Sequence, residues 1–390
     1  MSLFRMSDVV GASTVVDYVT IIGKLYPVSS EDYMRLVRLA WDFKNAVRIT
    51  TRMIAKGVDK NSILRELRGM LNKAYADSAY KVARAIVEGC LFNGCNPLHI
   101  EVRRPFIVSE GESSRLGNRN VRLENTGLVK VKYPYDGSWI TLRTEFGERY
   151  LPLLRELVDL ARQREVSYGA RIVFRGGSIY LHLSIPIKLY LKHFRKGEAE
   201  GGFVGGFDLN SDRVNLVIID EHGRIVDTRT AWFTETTSHG FPRNRARALR
   251  LRALAKLLKY CYTHNVGVVV FENLPLIKRR RFTRSRVGNR KITRFAKRQL
   301  IQYGIVMALK YGFKTLLTNP RGTTNSKEHE EVMRKYGLDR HTASAYLTAL
   351  RGLKALINMY TTNNHKNQNS PRVNWPSHIY PQQNQTLNRN

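Results

Sequence analysis

The chain is poor in acid, poor in cysteine and has no long apolar run, and each shortage closes off a class of protein. Asp and Glu number 32 against 65 Lys and Arg, a net charge of +33 with neutral His. A folded chain that repels itself so strongly is built to meet a polyanion, and nucleic acid is the foremost one. A basic ribosomal or chromatin-like protein without chemistry would carry the same charge. No stretch approaches the roughly 18 apolar residues that span a bilayer. The positive charge is also spread along the chain, so no membrane partner is expected. The opening MSLFRMSDVVGASTVVDYV is interrupted by Asp8 and Asp17 before a signal-peptide core can form. Cysteine occurs three times, as Cys90, Cys95 and Cys261. That is too few for a disulfide framework and predicts buried free thiols in a reducing, cytoplasmic compartment. Cys90 and Cys95 would need histidines such as His99 to make a zinc site. A GxxxxGKS/T phosphate loop is missing as well, so no nucleotide cofactor is expected.

What is present divides at about residue 200. At 390 residues the chain is long enough for two or three packed units. The stretch through Val28 alternates apolar and polar residues and reads as one or two strands. Ser29 and Ser30 followed by Glu31 and Asp32 mark a helix start. Met34, Val37 and Trp41 then recur at helical spacing, and with Tyr75 they read as core. A second helix is expected over about Asn61 to Glu88, and short strands with glycine-rich turns over about His99 to Trp139. YLPLLRELVDLARQR is a helix, and ARIVFRGGSIYLHLSIPI is a hairpin turning on Gly176–Gly177. KHFRKGEAEGG reads as a linker. FVGGFDL, RVNLVIID and RIVDTRT follow as strands, and then a basic helix starts at Pro242. After VGVVVFE, a strand by its unbroken apolar run, come helix, strand KTLLTNP and a last helix RHTASAYLTALRGLKALINM. Meandering strands followed by alternating helix and strand make an α/β sheet. The tail from Thr361, rich in Asn, Gln and Pro, reads as disordered.

Two acids end buried strands in this half: Asp208 in GGFDLNSD and Glu272 in VVVFENLP. A carboxylate there is costly without a counter-charge. Two of them side by side form an oxygen-rich site for hard Mg²⁺ or Mn²⁺ ions, able to activate water against a phosphodiester. Either acid alone could simply cap a strand or meet an arginine. Asp212 reads as a turn residue. Close behind Glu272 runs KRRRFTRSRVGNRKITRFAKR, with no acid in it. Lys278, Arg279, Arg280, Arg281, Arg284, Arg286, Arg290, Lys291, Arg294, Lys297 and Arg298 are candidate phosphate contacts, with Phe282 and Phe295 placed to stack bases. Contacts of this kind carry no sequence information.

GFDLNSDRVNLVIID, VVVFENLP and YGLDRHTASAYLTALRGL together resemble the split GxD…xxxE…D motif of the TnpB/OrfB family, the transposon-encoded, RNA-guided DNA endonucleases related to type V CRISPR effectors. The match is strong over about 200–360 and holds only in outline before it. The resemblance implies a ribonuclease-H-like (RuvC-type) α/β domain at 200–360. It also implies a wedge-like β-barrel from 1–28 with 99–195 and a helical recognition insertion at 29–98. Guide RNA and DNA are the implied partners, and Mg²⁺ or Mn²⁺ the implied cofactor. Two features depart from the family. Its CxxC…CxxC zinc ribbon has no counterpart in NPRGTTNSKEHEEVMRKYGLD, so no structural zinc is expected. Its third acid lies in DxDxNxA, whereas DRHTASA puts Asp339 at the first aspartate and His341 at the catalytic one. Either residue could complete the site, and Asp339 could equally be a helix N-cap. A nuclease-impaired RNA- or DNA-binding regulator and a guide-independent, structure-selective nuclease remain as alternatives.

Overall fold

The computed structural model describes residues 9–11, 16–273, 297–321, 323 and 326–366. The chain forms two compact units, one built from residues 17–193 and the other from the sequence on either side of it. In chain order come β1 (Val9–Gly11), β2 (Tyr18–Pro27), α1 (Ser30–Ala55), α2 (Lys60–Met70) and α3 (Lys73–Phe92). Short strands follow: β3 (Phe106–Ser109), β4 (Gly111–Glu112), β5 (Gly117–Asn118), β6 (Val121–Asn125), β7 (Leu128–Lys132) and β8 (Trp139–Glu145). Helix α4 (Leu151–Arg162), β9 (Gly169–Arg175), β10 (Ser178–Pro186) and α5 (Ile187–Phe194) complete that half. Beyond them lie β11 (Phe203–Leu209), β12 (Arg213–Ile219), β13 (Ile225–Trp232), α6 (Arg243–Thr263) and β14 (Val266–Glu272). The described chain ends with α7 (Lys297–Lys310), β15 (Lys314–Thr318), α8 (Lys327–Tyr336) and α9 (Arg340–Lys366).

The unit of residues 17–193 is an antiparallel sheet in the order β3-β9-β10-β2-β8-β7-β6 with helices packed on it. Where a barrel was expected, the end strands β3 and β6 are not paired with one another among the described residues. Strand β2 alternates by the pleat, burying Ile21 and Leu25 while Ile22, Lys24 and Tyr26 stay exposed. In α1 the buried stripe is Leu36, Leu39, Ala40, Phe43, Ala46 and Val47. Met34 and Trp41, read from the sequence as core, are 65% and 45% exposed, because the apolar stripe runs out of phase with them. Tyr75 is fully buried, as expected. The single helix expected over 61–88 is broken at Leu71–Asn72, where the Asn72 side chain caps a new helix by accepting from Tyr75 N. Cys90 and Cys95 are joined in a disulfide rather than held as free thiols. The turn after α3, with Gly94 at φ 69°, folds Cys95 N back onto Cys90 O and brings the two together.

The second unit is a mixed α/β structure. Its sheet runs β1-β15-β14-β11-β12-β13, with β12 antiparallel to both β11 and β13, and β14 and β15 parallel to β11. β1 adds to β15 antiparallel, so the expected N-terminal strands serve different sheets. Side chains alternate between two helical layers. Val204, Val268, Val270 and Leu316 pack with Ala345, Ala349 and Leu353 of α9. On the other face the Phe207 and Phe271 rings meet at a 32° tilt with 4.9 Å between centroids, beside α6 and α7. The expected linker at 192–202 is partly helical, since α5 continues to Phe194. Helix α9 likewise runs to Lys366, six residues into the segment expected to be disordered; 367–390 lies outside the described residues. Helix α8 was not expected. Its signals are ordinary ones: Ser326 caps by accepting from His329 N, Glu328 and Glu330 lie in the first turn, and Gly337 ends it at φ 63°.

Candidate functional site

The pleat that sends Val204 and Gly206 toward α9 sends Asp208 there too, and in β14 it does the same for Val268, Val270 and Glu272. Phe207 pairs with Phe271 in the parallel register, so the two acids follow one residue later on adjacent strands. Gly206 sets how close α9 comes. A Cβ there would lie 2.3 Å from Ala345 O and 2.4 Å from Ala349 N. Two residues along β11 advance about 6.6 Å and four along a helix about 6 Å. The step from Gly206 to Asp208 therefore matches the step from Ala345 back to His341. His341 Nδ1 lies 3.0 Å from Asp208 Oδ2. Asn210 Nδ2 donates to the same oxygen at 2.6 Å and lies 3.0 Å from Nδ1.

Glu272 is 4% exposed, and its Oε1 has no hydrogen-bond partner. Burial and the nearby Asp208 charge push its carboxyl up to about 8, against the opposing hydroxyls of Thr323 and Thr348 and the Arg351 cation. An orphaned buried carboxylate oxygen beside a second carboxylate fits a divalent cation. Among the described residues no three His, Cys, Asp or Glu side chains are gathered tightly enough to hold a metal alone.

The two candidates for the third position are placed differently. Asp339 caps α9, its Oδ1 accepting from His341 N at 2.9 Å and from Thr342 N at 3.3 Å, with the Thr342 hydroxyl on Oδ2. Partial burial raises its carboxyl, but these hydrogen bonds outweigh that and hold it below the ordinary range. His341 is the one brought to Asp208. Asp339→Ala is expected to cost about 0.5–2 kcal/mol of stability and Asp339→Asn only a fraction of that, measured by urea denaturation.

A family model for the SSO2105 N-terminal domain matches residues 18–195. The uncharacterized protein SSO2105 of Saccharolobus solfataricus is 43% identical over 361 residues, covering 90% of this chain and 97% of that protein. The chain belongs to the SSO2105 family. An uncharacterized Aeropyrum pernix protein is 29% identical to it over 351 residues, covering 82% of this chain and 92% of its own length. Among solved structures, T. thermophilus RuvC in complex with a Holliday junction substrate matches at TM-score 0.28 and 18% identity, over 40% of this chain and 96% of that one. A CRISPR-Cas12f ternary complex matches at TM-score 0.31 and 13% identity, over 82% and 81%.

Sequence reasoning missed the surroundings of Glu272. Thr323, Thr348 and Arg351 come from a loop and from α9, and Arg351 Nη1 donates to Asn319 O and Arg321 O. A signal existed in α9, where His341, Ser344 and Thr348 interrupt an apolar helix at turn spacing. Asp212 stands in the turn between β11 and β12, near Arg213, as expected. Lys278 to Arg294 of the basic tract, with Phe282, lie outside the described residues, as does Phe295; Lys297 and Arg298 open α7. In the unit that the SSO2105 domain model covers, one sheet face carries Lys24, Tyr180, His182 and Arg171 in direct register. Farther across that face, Arg122 and Lys132 lie 4.5 and 4.9 Å from the Trp139 ring centre. No helix among the described residues is long and apolar enough to cross a membrane.

Glu272 also fixes a pH dependence for this family member. Its carboxyl titrates at an ordinary 4.5 when unfolded and about 8 when folded, so between those values the folded chain holds a proton that the unfolded chain has lost. Stability from this group is therefore greatest below 4.5 and declines as pH rises toward 8, by at most about 1.4 kcal/mol per pH unit. Wild type minus Glu272→Gln, compared by thermal melting across that range in EDTA, should show this slope; a flat difference would mean that Glu272 is charged throughout. Divalent ions should flatten it, since a cation favours the charged carboxylate.

Proposed function

We propose that this chain is a metal-dependent nuclease with a ribonuclease-H-like (RuvC-type) second unit, acting on DNA under the direction of a guide RNA. One observation carries the reading: Asp208 and Glu272 end adjacent parallel strands on one face, and α9 brings His341 against Asp208. The strand order, three antiparallel strands followed by two parallel ones, supports the fold assignment. Asp208 and Glu272 would hold Mg²⁺ or Mn²⁺, which supplies an activated water and neutralises the leaving oxygen of a phosphodiester. Thr323 and Thr348 favour the charged form of Glu272, and Asn210 orients the Asp208 carboxylate. The basic tract from Lys278 to Arg298, in a chain of net charge +33, supports strand binding through phosphates. The guide and the transposon association rest on the resemblance to the TnpB/OrfB family.

A nuclease-impaired binding protein is the second reading, favoured by the engagement of Asp339 in the helix cap and the imidazole at the third position. Purification with co-expressed nucleic acid, sequencing of bound RNA and a DNA cleavage assay in Mg²⁺ and Mn²⁺ separate the readings. RNA-dependent cleavage supports the first. Bound RNA without cleavage in either ion supports the second. Cleavage of branched DNA without RNA would identify a structure-selective nuclease.

A further inference from the structure

The polar cluster on Asp208 contains an unresolved competition. His341 Nδ1 is 3.0 Å from Asp208 Oδ2 and 3.0 Å from Asn210 Nδ2. A ring nitrogen bears either a hydrogen, which Asp208 would accept, or a lone pair, to which Asn210 would donate, and it cannot serve both at once. Asn210 is already committed to Asp208 Oδ2 at 2.6 Å. A bound cation removes the conflict, because the Nδ1 lone pair and the Oδ2 lone pair can both face it. Neighbouring ligands of an octahedral ion with bonds of about 2.1 Å stand about 3.0 Å apart. Oδ2 and Nδ1 are already at that spacing. Glu272, 4% exposed with Oε1 unpartnered, supplies further negative charge from the adjoining strand. Asp339 cannot take the place of the imidazole while its two oxygens hold the start of α9.

One nitrogen in the donor set changes which ion is preferred. Mg²⁺ takes oxygen ligands and keeps its water reluctantly exchanged, whereas imidazole suits first-row transition ions. We infer that His341 Nδ1 is a direct ligand and that it makes the centre selective for a first-row transition dication over Mg²⁺, with substrate oxygens and water filling the remaining positions. The inference rests on Asp208 and Glu272 being metal ligands, as proposed above.

Mn²⁺ is the probe. The full chain, stripped with EDTA and mixed with a short DNA strand whose phosphate oxygens can fill the open positions, is titrated with Mn²⁺ while the electron paramagnetic resonance signal of the free ion is followed. The bound ion is then examined by electron spin echo envelope modulation for coupling to ¹⁴N. Wild type should bind Mn²⁺ at a site lost in Asp208→Asn, and the bound ion should show imidazole nitrogen modulation. Mg²⁺ should compete weakly, and His341→Asp should abolish the modulation and improve Mg²⁺ competition by about tenfold or more. Asp208-dependent Mn²⁺ without nitrogen modulation in the wild type would overturn this inference and leave the two-carboxylate metal centre standing. The absence of any Asp208-dependent Mn²⁺ would overturn both. The wild-type spectrum decides the ligand question even if His341→Asp does not fold.

Discussion

Asp208→Asn is expected to reduce metal-dependent DNA cleavage by about a thousandfold or more while leaving the chain folded. The substitution keeps the shape and one acceptor oxygen for Asn210 but withdraws a negative charge from the ion. Loss of metal-centred charge stabilisation amounts to several kcal/mol at the transition state, and each 1.36 kcal/mol is about a factor of ten. Without divalent ions, the same change relieves the repulsion that raises the Glu272 carboxyl, so its melting temperature at neutral pH should equal or exceed that of the wild type. Cleavage and melting measured together make the result decisive. Lost cleavage with lost folding would reassign Asp208 to structure, and retained cleavage would remove it from the site.

Gly206→Ala is expected to act from the interior, through the helix rather than the ion. Its Cβ would meet backbone, Ala345 O at 2.3 Å and Ala349 N at 2.4 Å, and backbone cannot swing aside as a long side chain can. Overpacking of this kind costs about 1–3 kcal/mol, and Gly206→Val should cost more. Because Ala345 and His341 sit four residues apart on one helix face, lifting α9 at Ala345 also draws His341 away from Asp208. Lowered stability by denaturant titration should therefore accompany weakened Mn²⁺ binding. Gly202→Ala is the control: a Cβ there meets nothing within 4 Å and should change neither.

The strands of the second unit were legible because their apolar runs and turn residues are unambiguous, and so were the two acids that end them. Glu272 stood out since VGVVVFE buries every residue, leaving its only acid without solvent. What pairs with Asp208 was not legible. Asp339 and His341 are two residues apart, and a local hydrogen-bonding choice, Asp339 turning back to Thr342, decides which one faces the sheet. That choice depends on the start of α9, and helix starts are hard to place to within a residue. The neighbours of Glu272 escaped notice for a different reason. Thr323 is remote from it in sequence, and no periodic pattern announces a contact made by a loop. In α1, periodicity itself misled, because a wide apolar stripe on a long helix can be read one position out of phase, as Met34 and Trp41 were.

The pairing of β1 with β15, in which Val9 meets Thr318, ties the sheet to the start of the chain. A ribosome releases Val9 long before Thr318 exists, so the residues of β1 must wait through the synthesis of an entire intervening unit for their partner. During that interval residues 17–193 have all their own strands and can fold first. A fragment begun at residue 194 would lack β1 and leave the free edge of β15 open to other chains, where strand addition leads to aggregation. Deleting the first sixteen residues should therefore show itself first in solubility and only afterwards in chemistry.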